Sequence, residues 1–309
     1  MNLFDKRPLA PMLIGAEGEA FDSPDFLYEL KLDGIRCLAY ISDGSVELAN
    51  KRGVNVTRVY PELLGIAMQV KGQCVLDGEI TVFSDGQPSF AEVQRRALMS
   101  NPMKIRIAAD RLPANFTAFD LLHHDGNDLI DWPLERRKEL LASVVTNSPR
   151  LAVSQIIEQQ GTSLYRLTEE RGLEGIVAKR KGSLYFPGKR TKDWIKCKNL
   201  KDEDFVVCGY IRKSGGVVSL VLGQYHDGSL VYRGHATLGV SSNTVQRIDA
   251  MPHIETPPFP IPNGNERAVW VAPKLVCTVK YMELTESGSM RQPVFKGLRD
   301  DKEPEECKR

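Results

Sequence analysis

The chain contains the stretch Lys31-Leu32-Asp33-Gly34-Ile35-Arg36, which places an amine, a carboxylate, a glycine and a guanidinium close together. A lysine is a poor nucleophile at neutral pH because it is protonated, but a site rich in other cations lowers its pKa and frees the amine. The glycine permits close backbone approach or a positive φ. The stretch therefore predicts a reactive lysine held beside a carboxylate and an arginine.

This stretch lies within segments where apolar and polar residues alternate, a pattern typical of β-strands. Alternation over 26–41 and 46–49, with the hairpin signal Asp43-Gly44 between them, places Lys31 at the end of one strand and the start of the next. Further strands are predicted at 74–83, 117–122 and 176–179, and helices at 61–68, 90–99, 133–144 and 163–171. This mixture predicts an α+β fold of antiparallel sheets rather than a doubly wound parallel sheet.

After Asn199 the sequence changes from mixed strand and helix patterns to mostly strand patterns. The charged run 201–204 predicts an exposed connector. Beyond it, strand patterns at 205–211, 217–224, 229–235 and 270–284, with one short helix at 242–250, fit a small β-barrel of the OB-fold type. We therefore predict two domains, residues 1–199 and residues 200–309.

The charge distribution favours a phosphate-binding or nucleic-acid-binding protein. The 309 residues have a formal net charge of only +1, so cations that bind a polyanion must be concentrated on one face. A basic run interleaved with aromatic residues fits that requirement better than a merely solvated surface does. Its cations are Lys179, Arg180, Lys181, Lys189, Arg190, Lys192, Lys196, Lys198 and Lys201.

The remaining composition excludes several protein classes. The 6 cysteines contain no CxxC pair, which argues against a zinc module and against a disulfide framework. No apolar run is long enough to cross a membrane, and no signal-peptide pattern is present. We therefore expect a cytoplasmic protein, and a monomer because no heptad pattern appears.

Further charged motifs follow the Lys31 stretch in a fixed order. They are Asp77-Gly78-Glu79, Phe119-Asp120-Leu121-Leu122, Glu174-Gly175-Ile176-Val177-Ala178-Lys179, Trp194-Ile195-Lys196-Cys197-Lys198 and the closing segment 291–302. Together they resemble the covalent nucleotidyltransferases, most closely the ATP-dependent DNA ligases. The resemblance covers residues 11–302 and is nearest to the minimal two-domain bacterial type, similar to the ligase module of end-joining proteins. It also implies an adenylation domain followed by an OB-fold domain.

The resemblance implies a three-step reaction. Lys31 attacks the α-phosphate of ATP, AMP passes from Lys31 to a DNA 5′-phosphate, and a 3′-hydroxyl then displaces AMP. In this scheme Asp33 orients or helps to deprotonate Lys31, and Arg36 contacts the nucleotide or the DNA end. Lys196 and Lys198, on one face of a predicted strand, would hold the α-phosphate and lower the pKa of Lys31 by repulsion.

The resemblance also implies a nucleotide pocket. Phe119 would stack on adenine, and Glu29 would begin the adenine pocket through either its backbone or its side chain. Lys179 would join Lys196 and Lys198. Mg²⁺ (or Mn²⁺) and the ribose would be bound by Glu79 and Glu174, since hard cations take oxygen ligands. From the second domain, Arg291 and Arg299 would orient the β- and γ-phosphates, with residues 198–204 as a hinge.

The DNA-contacting residues are less well defined. Relatives commonly have Arg-Asn-Gly after the second strand, whereas this chain has Asn50-Lys51-Arg52-Gly53. Lysine keeps the charge but lacks the bidentate geometry of arginine. We expect Lys51 or Arg52 to contact DNA phosphate. The implied partners are nicked or broken duplex DNA and a Ku-type end-binding protein.

Two other functions are compatible with parts of the pattern. An RNA ligase or an mRNA-capping guanylyltransferase would use the same lysine chemistry, but the segment 194–198 and the closing segment 291–302 resemble those of DNA ligases. A non-catalytic OB-fold protein descended from a ligase would be expected to lack some motif positions. Every motif position is filled here.

Overall fold

Three β-sheets form most of the structure, a computed structural model that describes residues 2–285 and 287–308. The chain divides into two units, Met1–Asn199 and Leu200–Arg309. Residues 1, 286 and 309, which our predicted domain ranges include, lie outside the described residues. No described helix has the length and apolar character needed to span a membrane.

The first unit alternates strands with short helices. Its strands are β1 (Leu13–Glu17), β2 (Phe26–Leu30), β3 (Ile35–Ser42), β4 (Ser45–Asn50), β5 (Cys74–Ser84), β6 (Gln87–Pro88), β7 (Ala114–His124), β8 (Asn127–Asp128), β9 (Leu151–Val153), β10 (Ile157–Glu158), β11 (Gly175–Arg180) and β12 (Arg190–Lys198). Its helices are α1 (Phe90–Ala97), α2 (Pro102–Arg111), α3 (Leu134–Val144) and α4 (Gly161–Glu170).

These strands form two sheets. One has the order β1-β12-β11-β2-β10, and the other has the order β4-β3-β5-β7-β8 with β6 and β9 attached. Pairing is antiparallel except between β1 and β12 and between β7 and β9. One buried cluster contains Leu38 and Phe119 of the second sheet together with Val177 and Trp194 of the first, so it lies between the sheets. The other face of the second sheet packs against the helices in a buried cluster that includes Leu76 and Leu141.

The second unit is mostly β. It contains β13 (Lys201–Arg212), β14 (Val218–His226), β15 (Ser229–Ala236), α5 (Ser242–Asp249), β16 (Val269–Tyr281) and β17 (Val294–Arg299). The strand order is β15-β14-β13-β16-β17, and every pairing is antiparallel. Alternate residues of β13 enter two separate apolar clusters, as Phe205 and Val206 show. This arrangement agrees with the predicted OB-fold, and the α+β fold class is confirmed.

Two element predictions were wrong, and β1, β17 and α2 were among the elements not predicted. Residues 61–68 form part of a 3₁₀ segment, Pro61–Gln69, and not an α-helix; Gly65 within it lowers helix propensity. The charged run 201–204 is the first part of β13, paired with β16, and not a connector, although Lys201 and Asp202 are exposed as predicted. Its Asp204 carboxylate accepts hydrogen bonds from Thr278 at 2.5 Å and Lys302 at 2.7 Å, so side chains within the unit satisfy its charge.

Candidate active site

The predicted lysines and Glu29 lie on one face of the first sheet. Strand register places Val177 opposite both Glu29 and Lys196, and Gly175 opposite Lys198. The backbone N–H of Lys31 donates to the Gly175 carbonyl at 2.8 Å and so extends this register. Because side chains alternate along a strand, Lys31, Glu29, Lys196 and Lys198 share a face.

Gly175 lies between Lys31 and Lys198 in the strand register, and as a glycine it places no side chain between them. Its φ is +126°, and a Cβ at this position would lie 2.1 Å from the Cys197 carbonyl oxygen. Only glycine fits this backbone without displacing β12. The space between the two lysines therefore depends on the absence of a side chain at 175.

The Lys31 amine forms an ion pair with Glu174, and their Nζ–Oε2 distance is 2.7 Å. The side chains are only 19% and 5% exposed, respectively. Burial raises the pKa of Glu174, Lys31 opposes that shift, and the nearby Asp33 carboxylate adds to it. The structure thus brings together Lys31, Asp33 and Glu174, all predicted from the motifs.

Glu79 supplies a second carboxylate to this site. It pairs in register with Arg36, across β5 and β3. Burial raises its pKa to about 7, and the charges of Glu174 and Asp77 add to this effect while Arg36 and Lys31 oppose it. A bound cation would stabilise the ionised forms of Glu79 and Glu174, whose pKa values are both raised.

These residues fit a divalent cation that takes most of its ligands from water and substrate. Among residues 2–285 and 287–308, no group of three or more acidic, histidine or cysteine side chains is arranged to hold a metal. Mg²⁺ is commonly bound by one or two carboxylates together with waters and phosphate oxygens. Glu79 and Glu174 satisfy that smaller requirement.

Arg36 has a protein partner that the sequence analysis did not anticipate. Its Nε and Nη2 donate to the two oxygens of Asp77, both at 2.5 Å, and the Tyr185 hydroxyl donates to Asp77 Oδ2 at 2.6 Å. The guanidinium lies 4.4 Å from the centre of the Phe119 ring. The bidentate fork that we expected to reach nucleotide or DNA is therefore used on Asp77 and held against Phe119.

Lys179 does not join Lys196 and Lys198 as expected. Its ammonium contacts Glu29 Oε1 at 2.9 Å and lies 4.4 Å from the centres of both the Phe119 and Trp194 rings. Burial lowers its pKa to about 8, against the opposing charge of Glu29. The correction has a structural cause: Lys179 is opposite Trp194 in the strand register, two residues away from the position opposite Lys196.

The other predicted side chains on this face have defined surroundings. Lys196 forms an ion pair with Glu17 at 2.9 Å. Burial, followed by the charge of Lys196, lowers the pKa of Lys198. Phe119 is 8% exposed and packs edge-on against the fully buried Trp194, with ring centres 6.4 Å apart. Adenine stacking on Phe119 stays a prediction.

One pocket collects most of the predicted nucleotide-binding residues. Its lining residues are Ile14, Glu29, Leu30, Lys31, Leu32, Arg36, Glu79, Phe119, Val177, Lys179 and Trp194. A larger cleft, of about 560 Å³, lies between the hairpin turns at Asp43-Gly44 and Asp125-Gly126, and no predicted site residue lines it. The first pocket is the candidate active site because it combines the lysine, the carboxylates and an aromatic wall.

Eight predicted site residues do not line this pocket. Asp33 and Glu174 lie beside Lys31, and Lys196 and Lys198 share its sheet face. The other four are Lys51, Arg52, Arg291 and Arg299. Lys51 and Arg52 occupy an exposed turn after β4, where Asn50 Oδ1 accepts the Arg52 N–H at 2.9 Å. Arg291 and Arg299 belong to the second unit. Arg291 contacts Glu283 at 3.0 Å, and Arg299 contacts Asp301 at 2.8 Å.

Sequence reasoning missed the partners that position the predicted residues. Asp77 stands in a predicted motif but had no predicted role, and neither Tyr185 nor Lys138 was predicted. Lys138 lies on α3, is buried, and contacts Glu29 Oε1 at 2.5 Å. No local motif marks it, because Glu29 is more than a hundred residues away in the chain.

Comparison with known proteins gives consistent matches. A model of the ATP dependent DNA ligase domain matches residues 14–198, and a model of the ATP dependent DNA ligase C terminal region matches residues 213–302. The multifunctional non-homologous end joining DNA repair protein LigD of Mycobacterium tuberculosis is 32% identical over 321 residues, covering 100% of this chain and 41% of that protein. The chain therefore spans about two fifths of the length of these relatives.

A shorter relative and a solved structure match over nearly their whole length. DNA ligase C1 of Mycolicibacterium smegmatis is 32% identical over 337 residues, covering 99% of this chain and 94% of that protein. A structure of mycobacterial DNA ligase D complexed with ATP and MES is 31% identical, with a TM-score of 0.58 and full coverage of both chains.

Proposed function

The chain belongs to the ATP-dependent DNA ligases, and on this premise we propose that it joins a 5′-phosphate to a 3′-hydroxyl in duplex DNA through lysyl-AMP on Lys31. The observation that carries the proposal is the placement of the Lys31 amine. It lines the pocket, contacts Glu174, and lies across Gly175 from Lys198. A nucleophile and a phosphate-binding cation are thereby held on one rigid sheet.

The side chains at the pocket suit the first step. The Lys31 nitrogen forms a bond to the α-phosphorus of ATP while the bond to the β-phosphate oxygen breaks and pyrophosphate leaves. Glu174 contacts the amine and orients it, and we assign Asp33 to receive the lysine proton. Lys196 and Lys198 stabilise the negative charge that develops on the α-phosphate.

A divalent cation, Mg²⁺ or Mn²⁺, would be held by Glu79 and Glu174. When bound it supplies charge neutralisation on the phosphates. The pKa of Glu79, raised to about 7 chiefly by burial and also by the neighbouring carboxylates Glu174 and Asp77, supports this assignment because a bound cation would offset both effects. Arg36, held by Asp77, and Phe119 would form the wall against which the nucleotide lies.

The remaining assignments rest on the sequence resemblance and on exposure. We propose Lys51 and Arg52 as DNA phosphate contacts, since both are exposed, and Arg291 and Arg299 as β- and γ-phosphate contacts. Relatives named for non-homologous end joining support broken as well as nicked DNA as substrate. A Ku-type protein is a candidate partner, and we expect the chain to act as a monomer.

Covalent labelling tests the proposal. Incubation with α-labelled ATP and Mg²⁺ should give an adduct that withstands denaturation and alkali and is cleaved by acid, as expected of a phosphoramidate. Lys31→Ala should abolish the adduct. Lys104→Ala, which removes an exposed lysine on α2, should leave it intact. No labelling of the wild type, or equal labelling of Lys31→Ala, would rule out the assignment.

Substrate class is tested in the same system. Nicked DNA should be sealed, and nicked RNA should not. ATP should support labelling, and GTP should not. Preference for RNA or for GTP would favour an RNA ligase or a capping enzyme. Sealing of blunt or cohesive breaks, with and without the host's Ku homologue, tests the proposed end-joining role.

A further inference from the structure

A buried chain of hydrogen bonds connects Tyr185 with the arginine of the pocket. Tyr185 lies between β11 and β12, Asp77 lies on β5, and Arg36 lies on β3. The Tyr185 hydroxyl donates to Asp77 Oδ2 at 2.6 Å, and Asp77 also accepts Arg36 Nε and Nη2, each at 2.5 Å. Tyr185 and Asp77 are buried, whereas Arg36 lines the pocket. The hydroxyl is therefore linked to the pocket through one carboxylate and one guanidinium.

The backbone fixes the direction of the Tyr185 hydroxyl. The Met12 N–H donates to the hydroxyl oxygen at 2.9 Å, and an N–H group can only donate. The phenolic proton is then left for Asp77. Burial, and after it the charge of Asp77, raises the pKa of Tyr185, so the hydroxyl keeps this proton. Tyr185 is therefore a permanent donor to Asp77.

The ring of Tyr185 is held independently of its hydroxyl. It packs edge-on against Trp194, with ring centres 6.1 Å apart, and the Tyr185 backbone N–H donates to the Ile130 carbonyl at 2.9 Å. A phenylalanine at this position would keep both contacts. Packing therefore explains an aromatic residue at 185, but it does not explain the hydroxyl.

A second tyrosine shows what a hydroxyl does when it only holds the backbone. The Tyr40 hydroxyl accepts the Leu9 N–H at 2.7 Å, and neither residue lines the pocket. Tyr185 does the same for Met12 but also donates to Asp77. Within the described part of the chain, the other side-chain hydrogen bonds of Asp77 come from Arg36. The additional bond of Tyr185 therefore acts on the partner of Arg36.

This chain of bonds fixes one edge of the Arg36 guanidinium. Because the group is planar, holding Nε and Nη2 on Asp77 sets the direction of Nη1. Nη1 has no hydrogen-bond partner within residues 2–285 and 287–308. The guanidinium also lies 4.4 Å from the centre of the Phe119 ring, which we propose as part of the nucleotide wall. Nη1 is therefore available to donate to an oxygen of a nucleotide in the pocket.

We propose that Tyr185 is a positioning residue that orients Arg36, through Asp77, to donate to an oxygen of the bound nucleotide. The inference rests on the proposed function, because it assumes that ATP binds in this pocket. Tyr185 does not line the pocket and acts through Asp77, so it does not touch the nucleotide.

The test removes the hydroxyl alone. We expect Tyr185→Phe to raise the KM for ATP in self-labelling roughly fivefold, with the labelling rate at saturating ATP within about twofold. A misdirected charged donor loses part of the roughly tenfold that one such hydrogen bond contributes. Tyr40→Phe is the matched control, because it removes a hydroxyl that holds the backbone three residues before Met12. It should leave the KM within about twofold of wild type.

Coupling to Arg36 separates this role from a purely structural one. Arg36→Gln should raise the KM for ATP by itself. Adding Tyr185→Phe should then raise the KM by less than about twofold, because the hydroxyl has no guanidinium left to orient. A further fivefold increase in the double variant would overturn the inference, and so would an Arg36→Gln variant with the KM of wild type.

The single variant gives two more decisive results. An unchanged KM in folded Tyr185→Phe overturns the inference, and so does a lower saturated rate with an unchanged KM. If circular dichroism shows that Tyr185→Phe does not fold, Asp77→Asn replaces it. That change weakens the next bond of the same chain, and the same coupling to Arg36→Gln is required of it. Failure of the wild type to label with ATP would instead refute the proposed function.

Discussion

Glu79 couples the stability of the first unit to pH. Its folded-state pKa, about 7, lies above the ordinary carboxyl value of 4.5 chiefly because of burial. The folded state therefore binds the Glu79 proton more tightly than the unfolded state does. The contribution of protonated Glu79 to the free energy of unfolding is fully present below about pH 4.5 and is lost as pH rises through about 7.

We therefore expect wild type to lose about 3 kcal/mol of unfolding free energy relative to Glu79→Gln between pH 4.5 and pH 7.5. Urea unfolding in EDTA across this range measures the difference. Glu139→Gln, at an exposed position of α3, should give a difference from wild type that is constant with pH. If the difference in unfolding free energy between wild type and Glu79→Gln is also constant with pH, the pKa of Glu79 is not raised in the folded state.

The predicted residues that line the pocket were found because they stand in or beside motifs that resemble those of a known family. Lys31 and Glu29 lie two apart on a predicted strand, and the structure places both on the same face. The partners could not be found in this way. Asp77 holding Arg36 and Lys138 holding Glu29 depend on contacts between distant segments. Periodicity and motif spacing report only on neighbours along the chain.

At the scale of elements, the register of β11 between β2 and β12 sets the spacing of the site. Gly175 is opposite Lys198 on one side and accepts the Lys31 N–H on the other. Its φ of +126° and the 2.1 Å approach of a Cβ to the Cys197 carbonyl leave no room for alanine. A change at this position must displace one of the strands that carry the lysines.

Gly175→Ala should therefore destabilise the first unit by more than about 2 kcal/mol and lower the labelling rate beyond the loss of folded protein. Thermal unfolding and labelling of the folded fraction measure the two effects. Gly182→Ala is the matched control, because that glycine is exposed and nothing lies within 4 Å of its added Cβ. Equal behaviour of the two variants would show that β11 tolerates displacement.

Strands with strong alternation were predictable, whereas elements set by long-range pairing were not. The hairpin at Asp43-Gly44 has positive φ at both residues, 49° and 72°, as its sequence signal predicts. α2 could have been found from Asn101, which caps the N–H groups of Met103 and Lys104, and from the proline that follows it. Residues 201–204 could not, because their strand is set by pairing with β16, about seventy residues later.

At the scale of the whole molecule, each unit has its own sheets and apolar clusters. The strands of the first unit pair only with one another among the described residues, and those of the second unit do likewise. A segment with its own core can fold alone. Residues 1–199 contain every residue that lines the candidate pocket, whereas Arg291 and Arg299 belong to residues 200–309.

We expect this division to separate nucleotide binding from adenylylation. We expect a fragment of residues 1–199 to fold and bind ATP, but to label Lys31 at least tenfold more slowly than the full chain, because the proposed triphosphate-orienting arginines are missing. Full-length Arg299→Ala should also label slowly and yet seal nicked DNA that already carries a 5′-adenylate, since that step has no triphosphate to orient. Quenched-flow labelling and sealing of the two substrates measure these rates. A fragment that labels as fast as the full chain would place all the catalytic groups for the first step within residues 1–199 and remove the proposed role of Arg299.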